Sequence, residues 1–327
     1  MRCVVTGATG FIGSHLTESL LDNGFEVLCP VRDTNRLRYL KPIEARVITF
    51  ENLEYELAEN NKLDYVFHLA GVTRALDYNG YRVSNVDLTK HFLDLVLNKV
   101  DLKFFKRFVF VSSQAVSGPA SGPDSCITEH DPPNPVSLYG RSKIEAETLV
   151  REYGSHIPYV IIRPSTVFGP RDIDVLGVFK SCKYRIAPCL IGKDRKVSVI
   201  FVEDLVRGIK TAAFSERSIR GTYFITDPEP VVWRDFIWEI ANVMGVRVFI
   251  LPIPAFILKS LGLGADILGR FSGKPFLFRT EKIDEMDQWF WVCSSERARN
   301  DFGWAPQNSL RDNLKKTFDW YKKEGWL

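Results

Sequence analysis

The sequence lacks the patterns of a disulfide-rich, metal-binding or nucleic-acid-binding protein. Its six cysteines lie far apart, and none forms a C-x-x-C pair or stands beside a histidine at metal-ligand spacing. The 43 basic and 40 acidic side chains are mixed along the chain, so no block of one sign is available to bind a polyanion. We therefore expect reduced cysteines, no metal and no nucleic-acid partner.

Long apolar runs are also absent. No stretch of about 18 uninterrupted apolar residues occurs, and the start of the chain has no signal-peptide pattern. We expect no integral membrane segment and a cytoplasmic location. Residues 248–271 are strongly apolar but are broken by prolines, glycines and charges. A buried strand, turn and helix is expected there, and the alternatives are a surface helix that meets a membrane or an apolar lid over substrate.

Short, continuous apolar runs are present throughout the first half and alternate with helical patterns. They predict strands at 2–5, 26–31, 46–50, 64–69, 107–112 and 159–162. Runs without alternation are typical of strands buried on both faces, which predicts an α/β fold with a doubly wound parallel sheet. After Gly169, prolines break the chain into short elements. We predict a dinucleotide-binding domain over 1–169 and, over 170–327, mainly a smaller, irregular substrate-binding lobe with elements returning to the core.

A glycine-rich turn follows the first predicted strand and opens a helical pattern. Three glycines at this spacing allow a tight turn and close approach of backbone to a pyrophosphate, and the helix N-terminus supplies N–H groups for it. This context predicts a Rossmann dinucleotide site. The expected contacts are Gly7, Thr9, Gly10, Phe11, Ile12 and Gly13.

The end of the second strand bears on the choice of cofactor. No acid stands where NAD-binding proteins place one for the ribose 2′-hydroxyl; Arg32 stands there, with Arg36 and Arg38 nearby. A guanidinium can hold the 2′-phosphate of NADP. We predict NADP, while NAD stays possible if these arginines are solvated or pair with Asp33.

Ser113, Tyr139 and Lys143 form the candidate catalytic group. Four residues on a helix bring the lysine to the same face as the tyrosine. Its charge and an oxidised nicotinamide ring would together lower the pKa of the phenol toward the range of a general acid/base. The helical pattern is good from Ser142 onward. Ser113 follows a strand and would emerge at the carboxyl edge of the sheet, where its hydroxyl could donate to a substrate carbonyl.

Taken together, these motifs resemble the extended short-chain dehydrogenases/reductases, also called the NAD-dependent epimerase/dehydratase family, over nearly the whole chain. Further similar segments are DYVFHLAG, YRVSNVDLTKHFL with Asn85, RPSTVFGP and VEDLV. The resemblance implies a homodimer formed through helices around 87–97 and 139–153. It also implies further cofactor contacts at Asn52, Leu53, Leu69, Ala70, Gly71, Tyr139, Lys143, Pro164 and Val167.

The substrate lobe departs from the pattern of family members that act on nucleotide sugars. Val197 stands where those enzymes carry a diphosphate-binding arginine, and no R-P-G-D-like run follows, although Lys193, Arg195 and Lys196 are close enough to substitute. The lobe is more similar to the 3β-hydroxysteroid dehydrogenase and dihydroflavonol reductase branch. We therefore expect an apolar small-molecule substrate and ketone–alcohol interconversion. A nucleotide-sugar epimerase or dehydratase and a non-enzymatic dinucleotide sensor are the alternatives.

A few other conspicuous residues are expected to have structural roles. His68 is interpreted as a packing residue at a strand end, because the sequence supplies it with no partner, and Asp64 and Asp204 as residues that fix local polar contacts. The late tryptophans are interpreted mainly as packing anchors, with Trp289 or Phe290 as a candidate border of the substrate site.

Overall fold

The computed structural model describes residues 1–34, 37–192, 194–273, 275–276 and 279–327. The strands are β1 (Arg2–Thr6), β2 (Glu26–Val31), β3 (Arg46–Thr49), β4 (Tyr65–His68), β5 (Arg107–Val111), β6 (Tyr159–Pro164), β7 (Thr166–Phe168), β8 (Ile186–Leu190), β9 (Lys196–Val197), β10 (Val199–Phe201), β11 (Gly221–Ile225), β12 (Val231–Val232), β13 (Phe249–Ile253) and β14 (Phe290–Trp291). The α-helices are α1 (Phe11–Asp22), α2 (Phe50–Glu59), α3 (Tyr78–Tyr81), α4 (Leu88–Lys99), α5 (Leu138–Glu152), α6 (Leu176–Lys183), α7 (Val202–Phe214), α8 (Trp233–Met244), α9 (Ala255–Ser272), α10 (Thr280–Met286), α11 (Glu296–Phe302) and α12 (Leu310–Lys323).

Within the described residues, seven parallel strands form the central sheet in the order β11-β6-β5-β4-β1-β2-β3. The predicted strands of the first half are confirmed, and β11 adds a strand from the second half beside β6. The order reverses between β1 and β4, which pair with each other. In open sheets of this kind, ligands bind outside the carboxyl ends of the strands at such a reversal. The doubly wound α/β architecture is therefore confirmed.

Helices cover both faces of the sheet. One core packs α1 and α7 against the strands, as with Leu16 and Ile209. The other packs α2, α4 and α5 against the opposite face, as with Phe92 and Val150. Central strands are thus buried on both sides, which explains why their sequences are continuously apolar. The carboxyl edge of the sheet is left for the loops that carry the candidate site.

The second half of the chain contributes a third core and several small sheets. Pairs β10-β7 and β13-β8 and the set β12-β9-β14 lie beside a core that includes Phe179, Phe236 and Tyr321. This is the smaller, irregular C-terminal lobe.

Two local expectations differ from the structure. Helix α5 begins at Leu138, ahead of the expected start, because the Ser137 side chain caps it and accepts a hydrogen bond from the Gly140 N–H at 3.1 Å. Segment 248–271 does form a strand, a turn and a helix, but the expected burial is wrong. Phe249 in β13 and Phe256 and Phe271 in α9 are exposed, because α9 is covered on one side alone. No helix in the described ranges is long and apolar enough to span a bilayer.

Candidate active site

The glycine turn brings β1, α1 and the loop after β4 into close contact. Gly7 has a left-handed φ of +72°, and a Cβ there would lie 2.8 Å from the Ala70 nitrogen. A Cβ on Gly13 would lie 2.1 Å from the Gly7 carbonyl oxygen. Any larger side chain would therefore force the backbone apart. Helix α1 begins after Gly10 with neither a side-chain cap nor an acid in its first turn, so its first N–H groups point to an uncapped edge.

The loop after β4 lies beside this turn. The Ala70 N–H donates to the Thr6 hydroxyl at 3.1 Å, so Leu69 and Ala70 run alongside the end of β1. Buried Asn85 then ties the loop to the catalytic helix. Its side-chain oxygen accepts from the Val72 N–H at 2.8 Å, and its amide donates to the Ser142 hydroxyl at 2.9 Å. Asn85 lies in a π-helical turn, Arg82–Asp87, a distortion often found at functional sites.

Ser113 and Tyr139 meet at the carboxyl edge of β5. Ser113 stands two residues beyond the last residue of β5, where its hydroxyl also accepts from the Ala115 N–H at 3.1 Å. The same hydroxyl lies close enough to the Tyr139 phenol to lower the pKa of that phenol. The structure thus brings together two of the three predicted catalytic side chains.

In the protein alone, the net pKa shift of Tyr139 is upward. Burial raises the pKa of the phenol to about 12, and the nearby charge of Glu285 raises it further, outweighing the Ser113 contact. The Lys143 ammonium does not offset this effect in the protein alone, because it points elsewhere. The phenol is therefore protonated at neutral pH and able to donate.

Lys143 lies one turn beyond Tyr139 on α5 and is buried. Its Nζ donates to the Val111 carbonyl oxygen at 2.8 Å and lies 4.5 Å from the centre of the Phe110 ring. Burial lowers the pKa of this ammonium to about 8, while the charge of Glu147 opposes the change. The side chain is thus held at the end of β5, beneath Ser113.

A buried ion pair between Glu147 and Arg163 lies near Lys143. Glu147 accepts two hydrogen bonds from Arg163, at 2.9 Å from Nε and 2.7 Å from Nη2, and both side chains are almost fully buried. Burial alone would raise the pKa of Glu147, but Arg163 outweighs it and the pKa is lowered. Because Arg163 is in β6 and Glu147 in α5, this pair locks the catalytic helix to the sheet.

Helix α10 covers the other side of the tyrosine. Glu281 accepts a hydrogen bond from the Tyr139 backbone N–H at 2.9 Å and another from the Tyr81 hydroxyl at 3.1 Å. The Tyr81 ring centre lies 6.2 Å from that of Tyr139. Glu281 could not be predicted from the sequence, because it is 142 residues away from Tyr139 along the chain and belongs to no motif.

The predicted adenine end lies at the carboxyl ends of β2 and β3. Arg32 directly follows β2 and is exposed. Arg38 pairs with Glu324 at 3.2 Å, so it is engaged at the opposite end of the chain, and Arg36 lies outside the described residues. Asn52 is exposed in the first turn of α2, whereas Leu53 is buried in the core.

The sequence profile of the NAD-dependent epimerase/dehydratase family matches residues 3–224. The chain belongs to this family. Its relatives include a ceramide reductase of Caulobacter vibrioides, 26% identical over 99% of this chain and 95% of that protein, and a UDP-glucose 4-epimerase of Vibrio cholerae, 26% identical over 96% and 93%. Among solved structures, UDP-glucuronic acid 4-epimerase of Bacillus cereus in complex with NAD has a TM-score of 0.77 and 23% identity, covering 99% of this chain and 97% of that one.

Membership of the extended short-chain dehydrogenase/reductase family makes the chain an enzyme of a class that uses a nicotinamide dinucleotide. The site fits that group at two points. The glycine turn leaves room that any Cβ would fill, and the Ser165 hydroxyl, between Pro164 and Val167, is buried without a hydrogen-bond partner among the described residues. A bound ligand could satisfy this buried hydroxyl.

Three residues that were expected to have structural roles make structural contacts. His68 is fully buried between the Thr6 and Thr89 hydroxyls, at 2.9 and 3.1 Å, and burial lowers its pKa to about 3. Its packing role is supported, and these two threonines are the partners that the sequence did not reveal. Asp64 accepts from the Arg2 N–H at 2.8 Å, and Asp204 from the Gln307 N–H at 3.1 Å, as expected of residues that fix local contacts.

Proposed function

We propose that this enzyme interconverts a ketone and a secondary alcohol on a hydrophobic small molecule, using NADP(H), with Tyr139 as the general acid/base. The proximity of the Ser113 hydroxyl, just beyond β5, to the Tyr139 phenol in the first turn of α5 carries the proposal. Two hydroxyl donors that meet at one point can both reach a single carbonyl oxygen. They lie at the sheet edge where the glycine turn of the same fold binds a dinucleotide.

The nicotinamide supplies the hydride, or accepts it in the reverse direction. Ser113 orients the substrate oxygen by donating a hydrogen bond. Tyr139, whose pKa of about 12 keeps it protonated, transfers its phenolic proton to that oxygen during ketone reduction. Lys143, held at the end of β5 by its bond to the Val111 carbonyl, is proposed to hold the ribose of the cofactor beside the phenol. Asn85 fixes the loop after β4 against α5, and Glu281 fixes the first turn of α5 at Tyr139.

The residues proposed to hold the cofactor surround this group. The turn from Gly7 to Gly13 would bind the pyrophosphate, with Leu69, Ala70 and Gly71 beside it. Asn52 and Leu53 would flank the adenine, and Pro164 and Val167 the nicotinamide end. Arg32, exposed at the end of β2 and without an ion pair in the described structure, is the proposed partner of the 2′-phosphate.

The substrate class is argued from the state of the cations in the lobe. Arg195 is buried and donates to Asp287 at 3.1 Å and to the Leu190 carbonyl at 3.2 Å, and Lys196 donates to the Pro123 carbonyl at 2.9 Å. Lys193 lies outside the described residues. Two of the three cations that could replace the missing diphosphate-binding arginine are thus engaged by the protein. The relative named as a ceramide reductase also supports a lipid-like ketone.

A nucleotide-sugar epimerase is the second candidate, and the Vibrio relative and the Bacillus structure favour it. Such an enzyme would use the same Ser113, Tyr139 and Lys143 but return the hydride to its substrate. Net consumption of NADPH therefore separates the two functions.

The test is an absorbance assay of NADPH with a panel of long-chain ketones, beside a product assay for epimerised UDP-glucose. Stoichiometric NADPH oxidation by a long-chain ketone, absent in Ser113→Ala, supports the proposal. Conversion of UDP-glucose without net NADPH change would replace it with the second candidate.

A homodimer is proposed on the family pattern, through α4 and α5. Sedimentation velocity on the purified protein tests this, and a concentration-independent monomer would refute it.

A further inference from the structure

Helix α9 exposes its apolar side to solvent. Its side chains in contact with the rest of the protein are small or paired, whereas its solvent-facing side is apolar over 18 residues, about 27 Å of helix. The exposed fraction reaches 88% at Phe271, 69% at Phe256 and 65% at Leu261. The exposed apolar residues of this face are Phe256, Ile257, Leu261, Leu263, Ile267, Leu268 and Phe271.

The packed side of α9 explains why the apolar side faces out. Gly262 lies against α10, where a Cβ would be 2.6 Å from Ile283 Cδ1. Lys259 pairs with Asp284 at 3.1 Å, and Asp266 pairs with Arg279 at 2.6 Å. Two of the charged side chains of α9 therefore form ion pairs with other residues of the chain. This packing leaves the large apolar side chains of α9 uncovered.

The neighbouring sheet extends the same surface. Strands β8 and β13 pair in parallel, with Ile186 opposite Phe249, and both side chains are exposed. Leu251, two residues along β13, is exposed on the same side. We call the outward sides of α9, β8 and β13 together the apolar surface. Exposed apolar side chains in this number, on elements that follow one another in the chain, indicate an interaction site.

The segments that carry the apolar surface contain more cations than acids. Residues 180–192 and 246–273 contain six lysines and arginines and one acid, Asp266. Lys183, Arg185, Arg247 and Arg270 are exposed. A cationic rim beside exposed Phe and Leu is the pattern of a surface that inserts into the interface of an anionic bilayer. A second copy of the chain would instead bring the same cations face to face.

We propose that the apolar surface docks this enzyme peripherally onto an anionic lipid bilayer. The surface lies next to the candidate site, because α9 packs on α10 and Glu281 of α10 bonds to the Tyr139 backbone. Docking would thus place the site near the lipid from which a hydrophobic substrate enters. That last step rests on the proposed function, whereas docking itself does not.

Vesicle flotation tests the docking with the full chain. Vesicles of phosphatidylcholine mixed with phosphatidylglycerol should retain the protein, and pure phosphatidylcholine vesicles should retain it at least about tenfold less. The variant Phe256→Ser/Leu263→Ser/Phe271→Ser should lose at least about tenfold in binding to the mixed vesicles. Tyr55→Ser, which removes an aromatic ring that is 73% exposed on α2, is the matched control and should bind normally.

The charged rim is tested separately. Arg185→Ala/Arg247→Ala should weaken binding to the mixed vesicles several-fold and reduce its sensitivity to salt. If the wild type binds neither vesicle, or if the triple variant binds as well as the wild type, the proposal is wrong. Loss of a dimer in the triple variant, with no vesicle binding by the wild type, would assign the surface to a second copy.

Two further measurements distinguish a loss of docking from a loss of folding or of catalysis. An unchanged melting temperature shows that the triple variant is folded; if it is not, the single variant Phe271→Ser decides. Tyr139→Phe should float with vesicles like the wild type, so failure of the proposed chemistry would leave the docking result intact. If the triple variant turns over a vesicle-borne ketone more slowly but a water-soluble ketone at the wild-type rate, docking and the proposed chemistry are connected.

Discussion

Strand β5 and helix α9 are both strongly apolar, but the structure gives them opposite surroundings. Val109 in β5 is fully buried between helices on both faces of the sheet, while Phe271 in α9 is almost fully exposed. The strand is covered because each crossover in a doubly wound fold lays a helix over the sheet. Helix α9 is at the edge of the lobe, with α10 on one side. Hydrophobicity thus predicts that a segment needs cover, while topology decides whether the same chain supplies it.

The largest expected effect compares an ion pair from each region. Glu147→Gln removes the buried partner of Arg163 and should lower the free energy of unfolding by about 3–5 kcal/mol. Lys259→Met removes half-exposed pairs with Asp284 and Asp287 between α9 and α10 and should cost no more than about 1 kcal/mol. Denaturant unfolding monitored by circular dichroism measures both. Equal costs would show that the two regions are equally covered.

The next comparison uses two close-packed glycines. In Gly13→Ala the new methyl meets the Gly7 carbonyl, a backbone group that cannot yield, so cofactor binding should weaken by about 1–3 kcal/mol. In Gly262→Ala the methyl meets the flexible end of Ile283 and the backbone of Thr280. Binding of NADPH should then change little, because α9 can shift at its open edge. Titration calorimetry distinguishes them, and loss of binding in Gly262→Ala would contradict this account.

A smaller effect is expected at the adenine end. Arg32→Ala should raise the KM for NADPH by about tenfold while leaving that for NADH nearly unchanged, because NADPH alone carries the 2′-phosphate. Arg38→Ala is the control, since its guanidinium pairs with Glu324. Initial rates with both cofactors test this. Equal changes in the two KM values would remove Arg32 from the proposed site.

The smallest effect concerns pH. The Lys143 ammonium, with a pKa of about 8, loses its proton as the pH rises through that value, so turnover that depends on its charge should fall there. Because the Glu147 charge raises this pKa, Glu147→Gln should move the alkaline limb of kcat/KM to lower pH. The profile is measured below the melting range of the variant. If the alkaline limb of the profile stays in place or moves to higher pH, Lys143 is not the group that produces it.

Much of this site followed from local sequence rules. Ser113 could be placed because it follows a buried strand, and Tyr139 and Lys143 because four residues make one helical turn. Glu281 could not, since it reaches Tyr139 from 142 residues away through the packing of α10. The raised pKa of Tyr139 in the protein alone could not be predicted either. Burial is a property of the assembled fold, and Lys143 turned out to bond to the Val111 carbonyl.

The exposure of α9 was also beyond local rules. Its sequence predicts an apolar helix but contains nothing that specifies which neighbour would cover it. Gly262 could have indicated a close helix contact on one side, yet a glycine in a helix has several explanations.

Tyr139→Phe tests the central claim most directly, with Tyr81→Phe as its matched control. Tyr81 lies beside Tyr139 and bonds to Glu281, so its loss removes a neighbouring hydroxyl without removing the proposed proton donor. Ketone reduction should fall by at least about a hundredfold in Tyr139→Phe, with the Kd for NADPH unchanged, and by less than about tenfold in Tyr81→Phe. Turnover near the wild-type rate in Tyr139→Phe would contradict the account.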